Sequence, residues 1–347
     1  MRYAKVFVEA IGYELPPVVV TSAELEARLA SLYEALRIPA GQLEALTGIA
    51  ERRWWDEGYP VSEGATAAAR HALAGSAVRP KDLDVLIYAG ICRELFEPAT
   101  ACRVAAGVGI SPDAAVYDLS NACLGVLNGM IDIANRIELG QIRAGMVVSC
   151  ESAREINDIM IERMLQSKSM DTFKYSLATL TGGSGAAAVI LTDGSFSAEG
   201  RRRLLGGVTQ TAPEFHGLCR WGIEEIRPLG FRQFTSTDSV GVLRHGVELG
   251  QRTWAAFLRK LGWVKDQVDR YICHQVGAGH RDTILELLGI DADRDFPTFP
   301  YLGNIGTVSL PLTAALAEDR EFLRPGDRVA FLGIGSGLNC LMLGLEW

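Results

Sequence analysis

The sequence predicts an α/β fold built from two similar halves, residues 1–194 and residues 195–347. Helical and strand patterns alternate along the chain. Several of the strands are almost continuously apolar, as expected for a sheet that helices cover on both faces. The order of elements in the first half recurs in the second.

The internal repeat is visible as three pairs of similar segments. Each half contains a helix and a strand, a second helix and strand, and then a glycine-rich turn with a further strand. The matching pairs are 80–88 with 264–272, 137–147 with 322–330, and 182–185 with 333–337. The repeat predicts a pseudo-twofold axis that relates two helix-covered sheets, and it places a functional site where the halves meet.

In the first half, apolar spacing and turn signals divide the chain into helices and strands. Thr21 and Glu24 form a capping-box pattern at the start of the first helix. The predicted strands are 6–8, 84–89, 116–119, 145–150 and 185–191, and the predicted helices are 22–36, 63–74, 100–108, a helix after Cys123 and a helical excursion over 155–180.

The second half resumes this pattern after a segment without clear periodicity. Residues 195–241 are predicted to be rich in loops. Beyond them, helices are predicted at 247–261, 280–288 and 312–321, and strands at 268–275, 328–337 and 341–347.

Composition and charge argue against several classes of protein. The 347 residues are 48% hydrophobic and carry a net charge of −8, which allows a large core and argues against nucleic-acid binding. The seven cysteines are odd in number and form no CxxC pair, which disfavours a disulfide scaffold and a cysteine metal site. The first residues resemble a strand rather than a signal peptide, and no apolar run is long enough to span a membrane. We therefore expect a cytoplasmic protein without a bound metal.

Cys123 stands between an apolar strand and a long run of helical spacing. The strand Val116–Leu119 breaks at Ser120 and Asn121, and apolar residues recur at helical spacing from Val126 onward. A cysteine on the first turn of a helix faces free N–H groups and the positive end of the helix dipole, which favour the thiolate. A small buried cysteine that fills a tight corner explains the same pattern equally well.

The repeat places two further polar residues beside Cys123. Asn304 opens the helix of the second half that is equivalent to the helix after Cys123, and His274 ends a strand of the repeat. A thiolate can attack an acyl thioester and hold the acyl group. His274 and Asn304 can then donate hydrogen bonds to a thioester oxygen that becomes negative, and the last glycine turn, at Gly335, can supply a backbone N–H for a second oxyanion.

Three short motifs resemble the Cys-His-Asn motifs of the thiolase superfamily. They are Asn121-Ala122-Cys123, Cys273-His274-Gln275 and Gly303-Asn304-Ile305-Gly306. Within the superfamily, nearly the whole chain is similar to the ketoacyl synthase III branch. The resemblance implies the five-layer αβαβα thiolase fold, a homodimer, and carbon–carbon bond formation from coenzyme A thioesters without a separate cofactor.

Further residues are candidates for binding the substrate. Arg154 matches an arginine that the family places at the mouth of the coenzyme A channel. Trp54, next to Trp55, either lines an acyl or nucleotide entrance or packs half-buried. The segment 155–180 is rich in methionine and isoleucine, and it either builds a second acyl channel or packs in the core or an interface.

Glu97 departs from the ketoacyl synthase III pattern. That branch has an apolar residue here, which crosses the dimer interface to the acyl pocket of the partner. The stretch Glu-Pro-Ala-Thr-Ala-Cys at 97–102 instead resembles the OleA family, in which the matching glutamate reaches the partner's active site. A half-buried glutamate with a raised pKa can serve as a general base. The alternative is a surface glutamate before a proline at a helix start.

These residues lead to one expected function and two alternatives. We expect two long-chain fatty acyl-CoAs to be joined by a non-decarboxylative Claisen condensation, with an acyl group on Cys123 and Glu97 of the partner subunit as the base. The 2-alkyl-3-ketoacyl product would serve downstream pathway enzymes of olefin or ketone synthesis. The first alternative is a 3-oxoacyl-[acyl-carrier-protein] synthase III that uses a malonyl thioester. The second is a nucleotide-binding module. The absence of a GxGxxG motif after the first strand of this chain argues against it.

Overall fold

The computed structural model describes residues 1–197, 202–228 and 230–347. Its strands are β1 Phe7–Glu14, β2 Val18–Thr21, β3 Glu51–Trp54, β4 Val85–Ala89, β5 Ala115–Leu119, β6 Ala144–Glu151, β7 Gly185–Thr192, β8 Arg202–Thr211, β9 Cys219–Ile226, β10 Gly230–Thr237, β11 Arg270–Cys273, β12 Arg328–Gly335 and β13 Asn339–Glu346. Its helices are α1 Ser22–Arg28, α2 Ala30–Leu36, α3 Gln42–Thr47, α4 Val61–Ala74, α5 Thr100–Val108, α6 Gly125–Glu138, α7 Arg154–Ser167, α8 Met170–Leu180, α9 Ser239–Leu261, α10 Ala278–Leu288, α11 Phe299–Leu302 and α12 Ser309–Asp319. Within these ranges no helix has both the length and the apolar character needed to cross a bilayer.

Nine hydrogen-bonded strands follow one another in the order β11-β12-β13-β8-β1-β7-β6-β4-β5, as one sheet from each half joined between β8 and β1. The first half supplies β1-β7-β6-β4-β5, and the second supplies β8-β13-β12-β11 in the matching order. The pairing directions also match, since β4–β6 and β11–β12 are parallel while β6–β7 and β12–β13 are antiparallel. A parallel bridge between Tyr271 and Asp295 stands where β5 stands in the first half. Within the strand order the two halves join at β1 and β8, which pair at Phe7 with Arg203 and at Val8 with Arg202.

Successive side chains of β4 point to opposite faces of the sheet and enter different cores. Val85, Ile87 and Ala89 pack into a core with residues of α6 and α12. Leu86 and Tyr88 pack into a core with residues of α4 and α5. The strand is apolar throughout because both of its faces are covered.

The second half repeats this alternation about the same central helices. Ile272 of β11 joins the core of α6 and α12, whereas Tyr271 and Cys273 join a core with residues of α9 and α10. The layers are therefore α4 and α5, a sheet, α6 and α12, a second sheet, and α9 and α10. This is the predicted five-layer thiolase fold.

A hydrogen bond links the two halves at the start of the central helices. The hydroxyl of Thr307, in the loop before α12, accepts a hydrogen bond from the N–H of Val126 in the first turn of α6 (2.8 Å). Thr307 is 1% exposed. A residue of the second half thus satisfies a buried donor at the helix end that follows Cys123.

The prediction of a loop-rich segment over 195–241 was wrong. β8, β9 and β10 occupy most of it, and residues 198–201 and 229 lie outside the described residues. In β8 the pair Gly206 and Gly207 resembles a turn in sequence. A Cβ on Gly207 would lie 2.2 Å from the carbonyl oxygen of Met342, so the glycine allows β13 to approach closely.

Several helix boundaries differ from the prediction. The helices predicted at 63–74, 280–288 and 312–321 begin two or three residues earlier, at Val61, Ala278 and Ser309. The segment 22–36 is two helices, α1 and α2, interrupted at Leu29, and the capping box of Thr21 and Glu24 is confirmed. The helix predicted from residue 247 begins at Ser239, because the carboxylate of Asp238 accepts a hydrogen bond from Gly241 N–H (3.0 Å) and caps it.

The hydroxyl of Thr307 can be tested by Thr307→Val, which keeps the side-chain shape. We expect the free energy of unfolding to fall by about 1–3 kcal/mol, because the buried N–H of Val126 loses its acceptor. Urea unfolding measures this change. Thr283→Val is the matched control, since the Thr283 hydroxyl only donates to Gly279 O within α10. Equal losses in the two variants would contradict this role for Thr307.

Candidate active site

Cys123 lies in the sharp turn between β5 and α6. β5 ends at Leu119 and α6 begins at Gly125, so Cys123 precedes the helix instead of lying on its first turn. The chain turns at Ala122, whose φ of 45° is left-handed. This conformation costs a residue with a Cβ about 1–2 kcal/mol, so surrounding contacts must hold the turn in place.

Three asparagine side chains fix the turn against the second half. Asn121 donates a hydrogen bond to Asn128 of α6 (2.7 Å) and accepts one from Asn339 of β13 (3.1 Å). Asn121 is therefore hydrogen-bonded both to the following helix and to the last strand. This network sets the position of Cys123 relative to both halves.

The thiol of Cys123 is neutral at physiological pH. Burial raises its pKa to about 12, with smaller contributions from Cys219 and Glu151. Burial therefore outweighs the helix-end contribution that was predicted to favour the thiolate. The helix begins two residues later than expected, and the N–H of Val126 already donates to Thr307.

Gly335 of the last glycine turn lies directly against the cysteine. A Cβ on this residue would be 3.4 Å from the backbone N of Cys123 and 3.2 Å from Cγ of Leu124. Gly335 therefore brings the end of β12 beside the nucleophile, where the sequence placed a backbone donor.

The loop before α12 presents the amide of Asn304. The backbone N of Asn304 donates to Thr181 O (2.8 Å), and its carbonyl accepts from Gly183 N (2.9 Å). The side-chain Oδ1 accepts from Gly306 N (3.1 Å). Because Oδ1 is engaged, the Nδ2 group is the part of the side chain that can donate to a bound molecule.

His274 directly follows β11 and is 6% exposed. Its backbone N donates to Leu332 O (3.0 Å), which fixes it beside β12. Burial, with a smaller contribution from His280, lowers the pKa of His274 to about 3, so the imidazole is neutral at physiological pH. A neutral imidazole can donate one hydrogen bond without carrying charge into the buried site.

Glu97 lies on the connection between β4 and α5, away from the buried interior. Its side chain is exposed, and none of the hydrogen bonds or ion pairs among the described residues involves it. The adjacent apolar side chains are also exposed, Leu95 by 58% and Phe96 by 94%. The single chain thus presents Glu97 outward at the tip of an apolar loop.

Arg154 and Trp54 form one unit at the start of α7. The guanidinium of Arg154 lies 5.9 Å from the ring centroid of Trp54, and its Nε is buried without a hydrogen-bond partner. Trp54 is 3% exposed and donates from Nε1 to Gly182 O (3.1 Å). Burial of the whole indole favours the packing alternative for Trp54. The face of this ring lies beside the guanidinium of Arg154.

The helical excursion predicted over 155–180 is the pair α7 and α8. Met160, Ile161 and Met164 are buried, the last two in a core with Leu25 and Phe173, which favours the packing alternative for these side chains. A groove of about 380 Å³ lies between this pair and the β9–β10 hairpin. Its lining is partly polar and includes Met160, Arg163, Tyr175, Arg220, Phe234 and Thr235.

Two residues near the cysteine escaped the sequence analysis. For Thr307, the sequence offered no signal beyond its position three residues after Asn304. Its hydrogen bond to Val126 forms only because the two halves pack together. Glu151 ends the apolar strand β6 and is 4% exposed. A carboxylate at the end of a continuous apolar run was the signal that marked Glu151.

The raised pKa of Cys123 predicts how fast iodoacetamide alkylates it. The rate should climb about tenfold per pH unit between pH 7 and pH 10, because only the thiolate reacts. Peptide mapping by mass spectrometry isolates Cys123 from the other cysteines. Free cysteine is the control, and its rate levels off above about pH 8.5. A plateau for Cys123 near pH 7 would contradict the burial argument.

Comparison with known proteins places the chain in a family. The profile of the 3-oxoacyl-[acyl-carrier-protein (ACP)] synthase III C-terminal family matches residues 258–347. The acyl-CoA:acyl-CoA alkyltransferase of Shewanella oneidensis is 57% identical over 349 positions, covering 100% of both chains. A crystal structure of Xanthomonas campestris OleA, 34% identical, superposes with a TM-score of 0.94 over 100% of this chain and 98% of that chain.

A second structure of Xanthomonas campestris OleA contains bound lauric acid and lauroyl-CoA. It has a TM-score of 0.92 and 34% identity, and it covers 99% of this chain and 100% of that chain. Full-length identity to an alkyltransferase favours the condensation of two acyl-CoAs over the malonyl alternative. The chain therefore belongs to the acyl-CoA:acyl-CoA alkyltransferase, or OleA, family of the thiolase superfamily, and it is an acyltransferase of the condensing type.

Proposed function

We propose that this protein joins two fatty acyl-CoA molecules by a Claisen condensation without decarboxylation, as a homodimer. The Shewanella relative is named for this pair of substrates, and a Xanthomonas relative binds lauroyl-CoA. The observation that carries the proposal is Glu97, a carboxylate at the tip of an exposed apolar loop. An enzyme that decarboxylates a malonyl thioester needs no such base.

In the first half-reaction, Cys123 takes the acyl group of one acyl-CoA. Its sulfur attacks the thioester carbonyl, a new C–S bond forms, and the bond to coenzyme A breaks. The thiol proton leaves with the coenzyme A thiol. Because Cys123 and His274 rest as a neutral pair, the proton must move as the sulfur attacks, and the unprotonated nitrogen of His274 is available to accept it.

In the second half-reaction, Glu97 of the partner subunit removes the α-proton of the second acyl-CoA. The thioester oxygen becomes an enolate oxygen, and it accepts hydrogen bonds from His274 and from the Nδ2 group of Asn304. The bond from Gly306 N–H to Oδ1 orients that amide. Donors fixed in advance stabilise the developing charge better than mobile water.

The enolate carbon then attacks the acyl carbonyl on Cys123. A carbon–carbon bond forms, the backbone N–H at Gly335 stabilises the transient oxyanion, and the bond from the acyl carbon to the Cys123 sulfur breaks. The sulfur then takes up a proton while Glu97 releases the one that it removed. The product is a 2-alkyl-3-ketoacyl thioester, and its hydrolysis gives a keto acid that loses carbon dioxide spontaneously. The sequence of steps uses no cofactor, and Arg154 is placed to hold the coenzyme A end of the substrate.

The homodimer is supported by an unpaired apolar sheet edge. β5 is the edge strand of the first half, and its residues are half-buried or exposed, whereas those of β4 are fully buried. The loop with Leu95, Phe96 and Glu97 leaves the sheet beside this edge. A twofold pairing along β5 would cover the edge and carry Glu97 to the other subunit.

The unstable keto acid calls for a downstream enzyme that acts on it soon after release.

The seven cysteines are free thiols. A reactive thiol that must stay reduced suits the cytoplasm.

The central prediction is that acyl-CoA alone is sufficient. Purified protein given only a long-chain acyl-CoA should release coenzyme A and form a ketone, measured by gas chromatography and mass spectrometry. In Glu97→Gln, ketone formation should fall by about 10²- to 10⁴-fold because the base is lost. Glu214→Gln, at an exposed site, is the control. A requirement for a malonyl thioester would refute the proposal.

Subunit mixing tests whether Glu97 acts on the partner. Cys123→Ala and Glu97→Ala are each inactive in condensation, yet a mixed dimer combines an intact Cys123 with an intact Glu97 from the other chain. Random pairing should restore about a quarter of the unaltered activity, since half of the dimers have one working site of two. Co-expressed and separately tagged chains allow the mixed dimer to be isolated. No restored activity in that dimer would mean that Glu97 acts within its own subunit.

A further inference from the structure

Glu151, the last residue of β6, is a buried carboxylate that the proposed reaction does not use. It is 4% exposed. None of the ion pairs among the described residues includes it. Its oxygens accept hydrogen bonds from the main-chain N–H groups of Ile91 (3.0 Å) and Cys92 (3.2 Å). A buried carboxylate without a cation is unusual and calls for an explanation.

The carboxylate of Glu151 lies between two loops of the proposed site. Ile91 and Cys92 are the root of the connection that carries Glu97. On the other side, a Cβ on Gly306 would lie 3.3 Å from Glu151 Cγ and 3.7 Å from Oε1. Since Gly306 N–H orients the amide of Asn304, one side chain binds the support of the base and lies close to the support of an enolate donor.

The connection that carries Glu97 has an anchored root and an exposed tip. The hydroxyl of Tyr88 donates to Cys92 O (2.7 Å), and the carboxylate of Glu94 accepts from Ser62 N (2.9 Å). Residues 95–98 beyond these anchors are exposed. A displacement at the root is therefore passed to the tip, and Glu151 is the anchor that also contacts the loop of Asn304.

We propose that Glu151 is a positioning residue, whose carboxylate fixes the root of the Glu97 loop relative to the Asn304 loop. This inference rests on the proposed function, in which Glu97 reaches the partner's site. Acylation of Cys123 does not use Glu97, whereas condensation does. Loss of the carboxylate should therefore slow the second half-reaction and spare the first.

Glu151→Gln is the test, because it keeps the size of the side chain but offers its amide group where an N–H needs an acceptor. We expect the kcat of ketone formation to fall roughly 10- to 100-fold through misplacement of the base. The exchange of the acyl-CoA α-proton in heavy water should fall to the same extent. The rate at which Cys123 is acylated, followed by mass spectrometry, should not fall by more than about twofold, since loss of the Glu151 charge removes one contribution that raises the pKa of Cys123.

Glu155→Gln is the matched control. Glu155 lies on the first turn of α7, and within the described part of the chain its side chain accepts a hydrogen bond only from the hydroxyl of Ser152 (2.8 Å). Its variant should leave both half-reactions unchanged. Unaltered condensation in Glu151→Gln, or equal losses in acylation and condensation, would overturn the positioning role.

A double variant separates this role from a general loss of structure. If Glu151 acts through Glu97, adding Glu151→Gln to Glu97→Ala should cause no further loss of condensation, and a multiplied loss would overturn the inference. Should Glu151→Gln fail to fold, Glu151→Asp, which keeps the charge and shortens the reach, should show the same split between half-reactions, and a wild-type profile would overturn it. Failure of the proposed function itself is distinct, since the unaltered protein would then form no ketone from acyl-CoA alone.

Discussion

The site depends on the burial of α6 and α12 together between two sheets. α12 is buried over nearly its whole length and α6 along its apolar face, and the two helices begin beside each other. Their leading loops are consequently forced into contact, and the hydrogen bond from Val126 to Thr307 joins them. Burial of the two core helices thus holds the segment that follows Cys123 against the segment that follows Asn304.

The same burial sets the protonation of the site. It raises the pKa of the Cys123 thiol and lowers that of the His274 imidazole, so both rest uncharged. A low-dielectric site makes resting charges costly, and it strengthens hydrogen bonds to charge that appears during the reaction. The features that suppress a free thiolate are thus the features that favour a stabilised enolate.

Glu97, in contrast, is exposed in the single chain, as expected for the proposed base that acts in the partner subunit. The chain holds it at the end of an exposed apolar tip whose root is fixed by Tyr88, Glu94 and Glu151. Anchoring the root lowers the entropy that the tip loses on docking, while the apolar flanks favour contact with a second chain. A fixed root and an exposed apolar tip suit the proposed placement of Glu97 in the active site of a second subunit.

The sequence by itself determined the elements and the chemistry that depend on local pattern. The apolar strand Val85–Ala89, helix Thr100–Val108 and the capping box at Thr21 follow from periodicity and turn chemistry. The repeat predicted Cys123 and Asn304 before equivalent helices, and His274 at the end of a strand. β8 was missed because its glycines serve the close approach of β13, which is a contact distant in sequence.

Tertiary structure alone decided the rest. Whether the thiol of Cys123 is charged depends on burial by both halves, and the burial of Trp54 depends on packing by helices far along the chain. The bonds of Thr307 to α6 and of Glu151 to the Glu97 loop join residues 181 and 59 to 60 positions apart. Local pattern encodes which groups are available, whereas long-range packing sets their solvation and their partners, and these determine what the groups can do.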